Sequence, residues 1–341
     1  MIDKTNKTST YLIVYILTTS FFMSRILARN LFENASKLAY LIILVIAVLI
    51  LLFSNCIYKK INTQIKLKLN KLSQYLFYIH LLINSCICLI FLLSLINACW
   101  LIETRYTFIL LPFLFILFYV LSHTKEVFYR LVVLCSFPIL IQYLIFIFAQ
   151  NKSFDFYALV PYQNTIQNPF IIILTSIQML LTPFSILFYI QDCEHSISKK
   201  HFHISIFIII FTLCFDSIVV TGQFGNTLQH FPFIYYESWC LLNFGQYIGY
   251  LDILAFFYWM TSSFCYIGLN QLLIKEYYPI KFYKLSYPIL FITLIFILTH
   301  ASLYHIIKPT LLICSSLLFI YLIKEVYFNE SQWFKRTLRK K

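Results

Sequence analysis

The distribution of apolar residues constrains this chain more than any motif does. About ten separate stretches of roughly 20 mostly apolar residues succeed one another along it, each long enough to cross the ~30 Å hydrocarbon core of a bilayer as a helix. Lipid offers no partners for backbone N–H and C=O groups, so spans of this continuity must be helices rather than open strands. The expected class is an all-α polytopic membrane protein, with residues 1–341 forming one integral membrane domain. A composition with 61% hydrophobic and only 11% charged residues is far from that of a soluble domain.

The periodicity places spans near 9–28, 38–57, 75–100, 107–123, 128–149, 168–190, 203–221, 249–273, 284–305 and 309–328. Basic residues sort onto alternate connections. Lys59, Lys60, Lys66, Lys68, Lys71, Lys125, Lys199, Lys200, Lys275, Lys281 and Lys284 share one side with Lys4, Lys7, Arg130 and Lys324. The tail residues Lys335, Arg336, Arg339, Lys340 and Lys341 bring that side to about 20 of the 26 Lys and Arg. Arg25, Arg29, Lys37, Arg105, Lys152 and Lys308 remain for the other, outer side. By the positive-inside rule both termini are cytoplasmic. The formal charge of +13 then reflects topology and contact with anionic membrane lipids, and nucleic acid is not an expected partner.

The first apolar stretch runs into Ser24-Arg25-Ile26-Leu27-Ala28-Arg29 without a convincing cleavage site, so it is expected to remain as the first helix. The ten cysteines lie mostly inside spans, show no CxxC pair and read as small apolar core residues. Two longer outer segments interrupt the spans. The first, about 150–167, divides the chain into halves 9–149 and 168–328, the five-plus-five arrangement of an inverted-repeat bundle, although no internal identity can be aligned. The second carries an apolar piece over 228–248, too short to cross beside the next span, which reads as an interfacial or re-entrant helix roofing the outer side.

Within the spans, Asp216 is the most singular acid. An ionised carboxylate there must be protonated, paired or facing water. The alternatives are a proton or cation relay and a residue near the outer end that reaches polar loop groups. Asp252 reads as a helix N-cap and Glu237 as solvated. No HExxH motif, paired acidic ligands or His-Cys cluster builds a metal site. No Walker loop, GxSxG or GxGxxG points to nucleotide or hydrolase chemistry. Neither a cofactor nor an enzymatic activity is expected.

Order and spacing of short motifs carry a resemblance. Phe231-Pro232-Phe233-Ile234, a short amphipathic run, then Asn243-Phe244-Gly245-Gln246-Tyr247-Ile248-Gly249-Tyr250-Leu251-Asp252 and Trp259 resemble the signature of the integral-membrane B subunit of GerA-type spore germinant receptors. Ser24-Arg25-Ile26-Leu27-Ala28 resembles that family's Pro-Arg-Ile-Leu-Ala, and Ala158-Leu159-Val160-Pro161 resembles its Leu-Leu-Pro. The chain departs from the family where Thr18-Thr19-Ser20 stands for a Gly-Thr pair, where Thr182-Pro183 stands for a Gly-Glu-like element, and where Gly249-Tyr250 stands for Glu-Arg. With five glycines in all, it resembles a divergent member.

The resemblance implies an amino-acid permease-like fold of the APC superfamily in the inner membrane of a spore. It also implies partners, the receptor's A and C subunits, and a small-molecule germinant such as an amino acid. The residues themselves also point to a pocket position. Polar groups at mid-membrane depth are costly unless they face an interior, which singles out Thr18, Thr19 and Ser20 in the first span and Thr175, Ser176, Gln178 and Thr182 in the sixth. Pro183 removes one backbone donor and could free carbonyls beside them. A zwitterion's carboxylate could meet N–H groups at a broken-helix N-terminus, and its ammonium the freed carbonyls. Ser and Thr in membrane helices also back-bond to their own helix or pack helices together. Asn84 and Ser85 in the third span, and Thr261, Ser262 and Ser263 in the eighth, lie on helices that line the cavity in APC-like folds; for the last three, small-residue packing is the competing reading. Two other functions compete. A secondary amino-acid transporter would be expected to keep a glycine-broken first helix, and a membrane acyltransferase would need an activating His or Asp constellation near a boundary.

Overall fold

In a computed structural model of the chain, the described residues are 4–62, 71–99, 106–148, 154–160, 166–185, 198–231, 233–241, 252–278, 284–290, 313–318, 320–321 and 324. Of their structure 93% is helical and none is strand. In chain order the helices are α1 (Lys4–Phe21), a π-helical segment (Phe22–Leu27), α2 (Ala28–Ala35), α3 (Leu38–Asn62), α4 (Lys71–Cys99), α5 (Tyr106–Ser122), α6 (Lys125–Phe148) and α7 (Pro169–Leu181). They continue with α8 (Lys199–Phe224), α9 (Ile234–Cys240) and α10 (Asp252–Tyr277). Residues 284–290 and 313–318 are also helical.

Among the described residues four stretches are long and apolar enough to cross a membrane: Thr10–Ala35, Leu38–Cys56, Leu72–Ile96 and Lys199–His230. Shorter apolar helices occur at Leu111–Ser122 and Pro169–Leu181. The chain is thus an all-helical protein with apolar helices of membrane-spanning length. Predicted spans 284–305 and 309–328 lie largely outside the described residues.

Start signals explain several boundaries. Asn168 accepts a hydrogen bond from Ile171 N–H at 3.3 Å ahead of Pro169, so an N-cap and an N1 proline open α7 together. Ser198 accepts from His201 N–H at 3.3 Å and opens α8. At the other end of α7 the helix tightens into a 3₁₀ turn, Thr182–Ser185, where Pro183 cannot continue the α pattern.

The first helix differs from its expectation. Rather than ending near residue 28, the helical path runs from Lys4 to Ala35 and changes pitch once, where the Ala28 N–H bonds the Met23 carbonyl five residues back. Arg25, Arg29 and Lys37, counted from the sequence as outer-loop cations, are buried at 1%, 5% and 6% exposure. Acidic, aromatic and carbonyl groups meet them inside the fold. This composite helix and α4 are the most buried of the long apolar helices described, and α3 is the most exposed. The composite helix packs on α6, α8 and α10 along α1, and on α3 and α7 along α2. The faces α3 and α5 turn outward carry Val45, Val48, Leu52, Leu111, Phe115 and Ile116, the surface that lipid covers in a spanning helix.

One end of the bundle is roofed. The chain reverses between α2 and α3 at Ser36, whose φ of 46° is the one positive value at a non-glycine residue among those described. Around this turn gather the 3₁₀ segments Phe156–Leu159 and Gly225–His230. Tyr40 donates to the Leu159 carbonyl at 2.7 Å, Lys37 to the Val160 carbonyl at 3.4 Å and Gln167 N–H to the Asn34 carbonyl at 2.9 Å. The short helix expected within 228–248 is α9, whose Ile234, Tyr235, Tyr236, Ser238 and Trp239 are buried against the bundle. Seven residues give roughly 10 Å of helix, too short to cross. Ser238 hydroxyl donates to Gln223 Oε1 and pins α9 to α8.

A Cβ at Gly222, in the last turn of α8, would lie 2.2 Å from Phe154 Cε2. The same glycine's carbonyl accepts from Asp155 N–H at 2.9 Å. Gly222→Ala should therefore push the half-buried Phe154 ring outward and release the 154–160 segment. We expect faster protease cleavage near the exposed Phe156 and Tyr157 with a change in global stability under about 1 kcal/mol, as for other changes confined to a surface segment. Equal cleavage rates in variant and wild type would refute this contact.

Candidate functional site

Two buried polar clusters lie on the composite helix and its neighbours. The first forms where the π segment meets α8. Arg25 Nη1 is 2.7 Å from Asp216 Oδ2, with side chains 2% and 1% exposed. Of the alternatives open for Asp216, pairing is the one realised. Its partner comes from a position that the charge pattern assigned to a loop. Two tyrosines from different elements cover the guanidinium. Its Cζ lies 4.7 Å from the ring centroid of Tyr235 on α9 and 5.1 Å from that of Tyr258 on α10, within range of a cation–π attraction. Ser262, a predicted site residue, is buried on α10 one turn beyond Tyr258. The pair thus joins α8 to the composite helix while α9 and α10 supply its aromatic cover.

A π segment suits this task. One extra residue in the turn rotates the remainder of the helix by about 100° relative to an uninterrupted α-helix. That rotation sets which neighbours receive Arg25 and Arg29. Arg29 ion-pairs with Glu33 at 2.9 Å and lies over Phe91 and Phe233. Glu237 on α9 is half-buried rather than solvated; burial pushes its carboxyl above the usual range, while the Phe233 backbone and the charge of Arg29 act the other way.

The second cluster unites two predicted residues with three that were not singled out. Gln178 on α7 donates to Ser315 Oγ at 3.1 Å and accepts from Ser316 Oγ at 2.7 Å. Ser315 donates to Asn84 Oδ1 at 2.6 Å, and Asn84 Nδ2 lies 3.1 Å from His80 Nε2. All five side chains are buried. The network ties α4, α7 and the helical turn 313–318 without any formal charge, and its members satisfy one another.

The remaining predicted residues divide plainly. Thr18 donates to the Val14 carbonyl at 2.7 Å, Ser20 to Leu17 at 3.3 Å, Ser85 to Leu81 at 2.9 Å and Ser176 to Ile172 at 2.7 Å. Thr182 donates to Gln178 and Thr261 to Phe257, both at 2.7 Å. These are bonds to the preceding turn of the same helix, so each hydroxyl satisfies itself locally. Thr19 and Thr175 are buried at 2% exposure. The first and sixth predicted spans do meet. Tyr15 on α1 donates to the Pro183 carbonyl at 2.8 Å, so the carbonyl beside the proline serves a neighbouring helix.

Sequence reading missed Arg25, Tyr235, Tyr258, His80, Ser315 and Ser316 as site residues. One signal was available for the ion pair: an arginine and an aspartate each embedded in apolar surroundings need one another. Among the described residues no three His, Cys, Asp or Glu side chains gather in a way that could hold a metal ion. No family model, curated protein or solved structure matches the chain.

Proposed function

We propose that this chain is the integral-membrane B-type subunit of a GerA-like spore germinant receptor. It would sense a small nutrient germinant, an amino acid in the first instance, and work beside A and C subunits in the spore inner membrane. The full architecture in this reading is a ten-span, five-plus-five APC-like bundle with both termini cytoplasmic. The observation that supports it is the pair of helices that depart from α geometry. The first helix does so at Phe22–Leu27 and α7, which corresponds to the sixth predicted span, at Thr182–Ser185. In an inverted-repeat bundle these are the equivalent first helices of the two halves, and here α7 packs on the π segment and Pro183 is tied to Tyr15. Among the described residues neither helix is unwound as an ion-coupled carrier requires, and Asp216 is already paired with Arg25, which favours a sensor over a transporter. Sensing would work by population shift: a ligand that binds one arrangement of the two halves better than the other moves the equilibrium, and a partner subunit reads the change.

The test is dipicolinic acid release from spores carrying this gene, its deletion, or Thr19→Phe and Ser176→Phe, across amino acids, sugars and nucleosides. Loss of response to one germinant class in the deletion and in both variants, at unchanged protein level, is the expected result. Normal responses in all of them, with related receptors deleted, would reject the reading and make uptake into proteoliposomes the next experiment.

A further inference from the structure

One turn beyond Arg25, Arg29 is 5% exposed. Its guanidinium carbon lies 4.5 Å from the ring centroid of Phe91 on α4 and 5.5 Å from that of Phe233, the residue before α9. Among the described residues only Nη2 is engaged, by Glu33 on the same helix at 2.9 Å, and Glu33 is itself 28% exposed. Among the described residues Nε and Nη1 have no hydrogen-bond partner. Trp259 stacks on the same Phe91 ring at 4.9 Å. It is 1% exposed, and its Nε1 also has no partner among the described residues.

Buried donors without acceptors cost free energy, so those on Arg29 and on Trp259, which share the Phe91 ring, ask for an explanation. Both side chains are donor-only groups and one carries a fixed positive charge. The chemistry that satisfies them is therefore acceptor-rich and anionic. A second acid, Glu237, half-buried on α9, lies close enough for the charge of Arg29 to act on it. That helix is seven residues long and reaches α8 through Gly225–His230, whose first residue takes a φ of 50°.

We propose that the unpartnered Nε and Nη1 of Arg29 form a second, small site beside α9 that binds a carboxylate or phosphate group, with the nearby Glu237 opposing the incoming anion. The site is separate from the neutral Gln178 network and stands independently of the receptor reading. The same group could arrive on a soluble molecule or on a lipid headgroup.

The experiment uses full-length protein in phosphatidylcholine nanodiscs, titrated with sodium acetate and sodium phosphate against sodium chloride at equal ionic strength. Thermal unfolding and tryptophan fluorescence are the readouts, and a parallel set of discs contains phosphatidylglycerol. We expect saturable stabilisation that is lost in Arg29→Gln and tighter in Glu237→Gln, with a fluorescence change that is lost in Trp259→Phe. A response to the soluble anions in phosphatidylcholine supports the site with a soluble ligand. A response confined to phosphatidylglycerol discs and lost in Arg29→Gln supports it with a lipid headgroup. No response in either disc, or the same response in Arg29→Gln as in wild type, overturns it. Should Arg29→Gln fail to fold, unchanged anion affinity in Glu237→Gln overturns it equally.

Discussion

Asp216→Ala should destabilise the folded protein by about 3–5 kcal/mol, the range seen when one member of a buried ion pair is removed. Arg25 stays charged whatever its surroundings, and at 1% exposure it cannot reach water by a rotamer change alone. Tyr235 and Tyr258 would remain over the guanidinium, but ring faces offset only a fraction of an uncompensated charge, about 2 kcal/mol for a desolvated contact. Asp216→Asn keeps an oxygen at the same place and should fall between Asp216→Ala and wild type. The double variant Arg25→Met/Asp216→Leu should recover most of the loss, since well-packed apolar side chains often replace a buried pair at little or no cost. Unfolding of the purified protein in detergent or nanodiscs, monitored by tryptophan fluorescence, would order the four proteins. Wild-type stability in Asp216→Ala would mean that the two side chains do not depend on one another.

The second large effect is steric. Gly268 lies on α10 where a Cβ would sit 2.4 Å from Phe128 Cε2, 2.7 Å from its Cζ and 3.4 Å from Leu117 Cδ1. Phe128 and Leu117 are 1% and 0% exposed, so neither can step aside as Phe154 can beside Gly222. Gly268→Ala should cost about 1–3 kcal/mol, the usual penalty of overpacking. Gly268→Val should cost more, because its branched carbons meet the same ring. Truncating the obstacle tests the cause: Phe128→Leu should rescue part of the Gly268→Val loss, giving a coupling of about 0.5–3 kcal/mol in the double-mutant cycle. Strict additivity of the two changes would show that the contact between α6 and α10 is not what holds this position to glycine.

Sequence and structure agree best where a single physical term dominates. Long apolar runs have one low-energy solution in lipid, and α3, α4 and α8 lie where hydropathy placed them. The breaker Pro183 was equally legible, as the 3₁₀ turn at Thr182–Ser185 shows, whereas the caps Asn168 and Ser198 emerged only with the structure. The polar residues were harder. Thr18, Ser85, Ser176 and Thr261 were singled out because hydroxyls in apolar helices are conspicuous, and each bonds the carbonyl of its own preceding turn. A hydroxyl can always do this, whereas an amide such as Asn84 or Gln178 has more donors and acceptors than one turn can satisfy. Those two residues are the ones that reached across to other helices.

The arginines mark the boundary most sharply. Charge counting treats every Lys and Arg as a loop residue because solvation in lipid is expensive, and for Arg25 and Arg29 that premise failed. The cost of burying them falls when an acid and aromatic faces converge on them, and those partners come from α4, α8, α9 and α10, as far away in the chain as Asp216 and Tyr258. By itself the sequence determined that this chain is built of apolar helices and where many of them begin, since backbone hydrogen bonding in lipid depends on residues close in the chain. Only the tertiary structure decided which polar groups share a site, because the partners that make a buried charge tolerable are set by packing between distant helices and by a one-residue change of pitch at Phe22–Leu27.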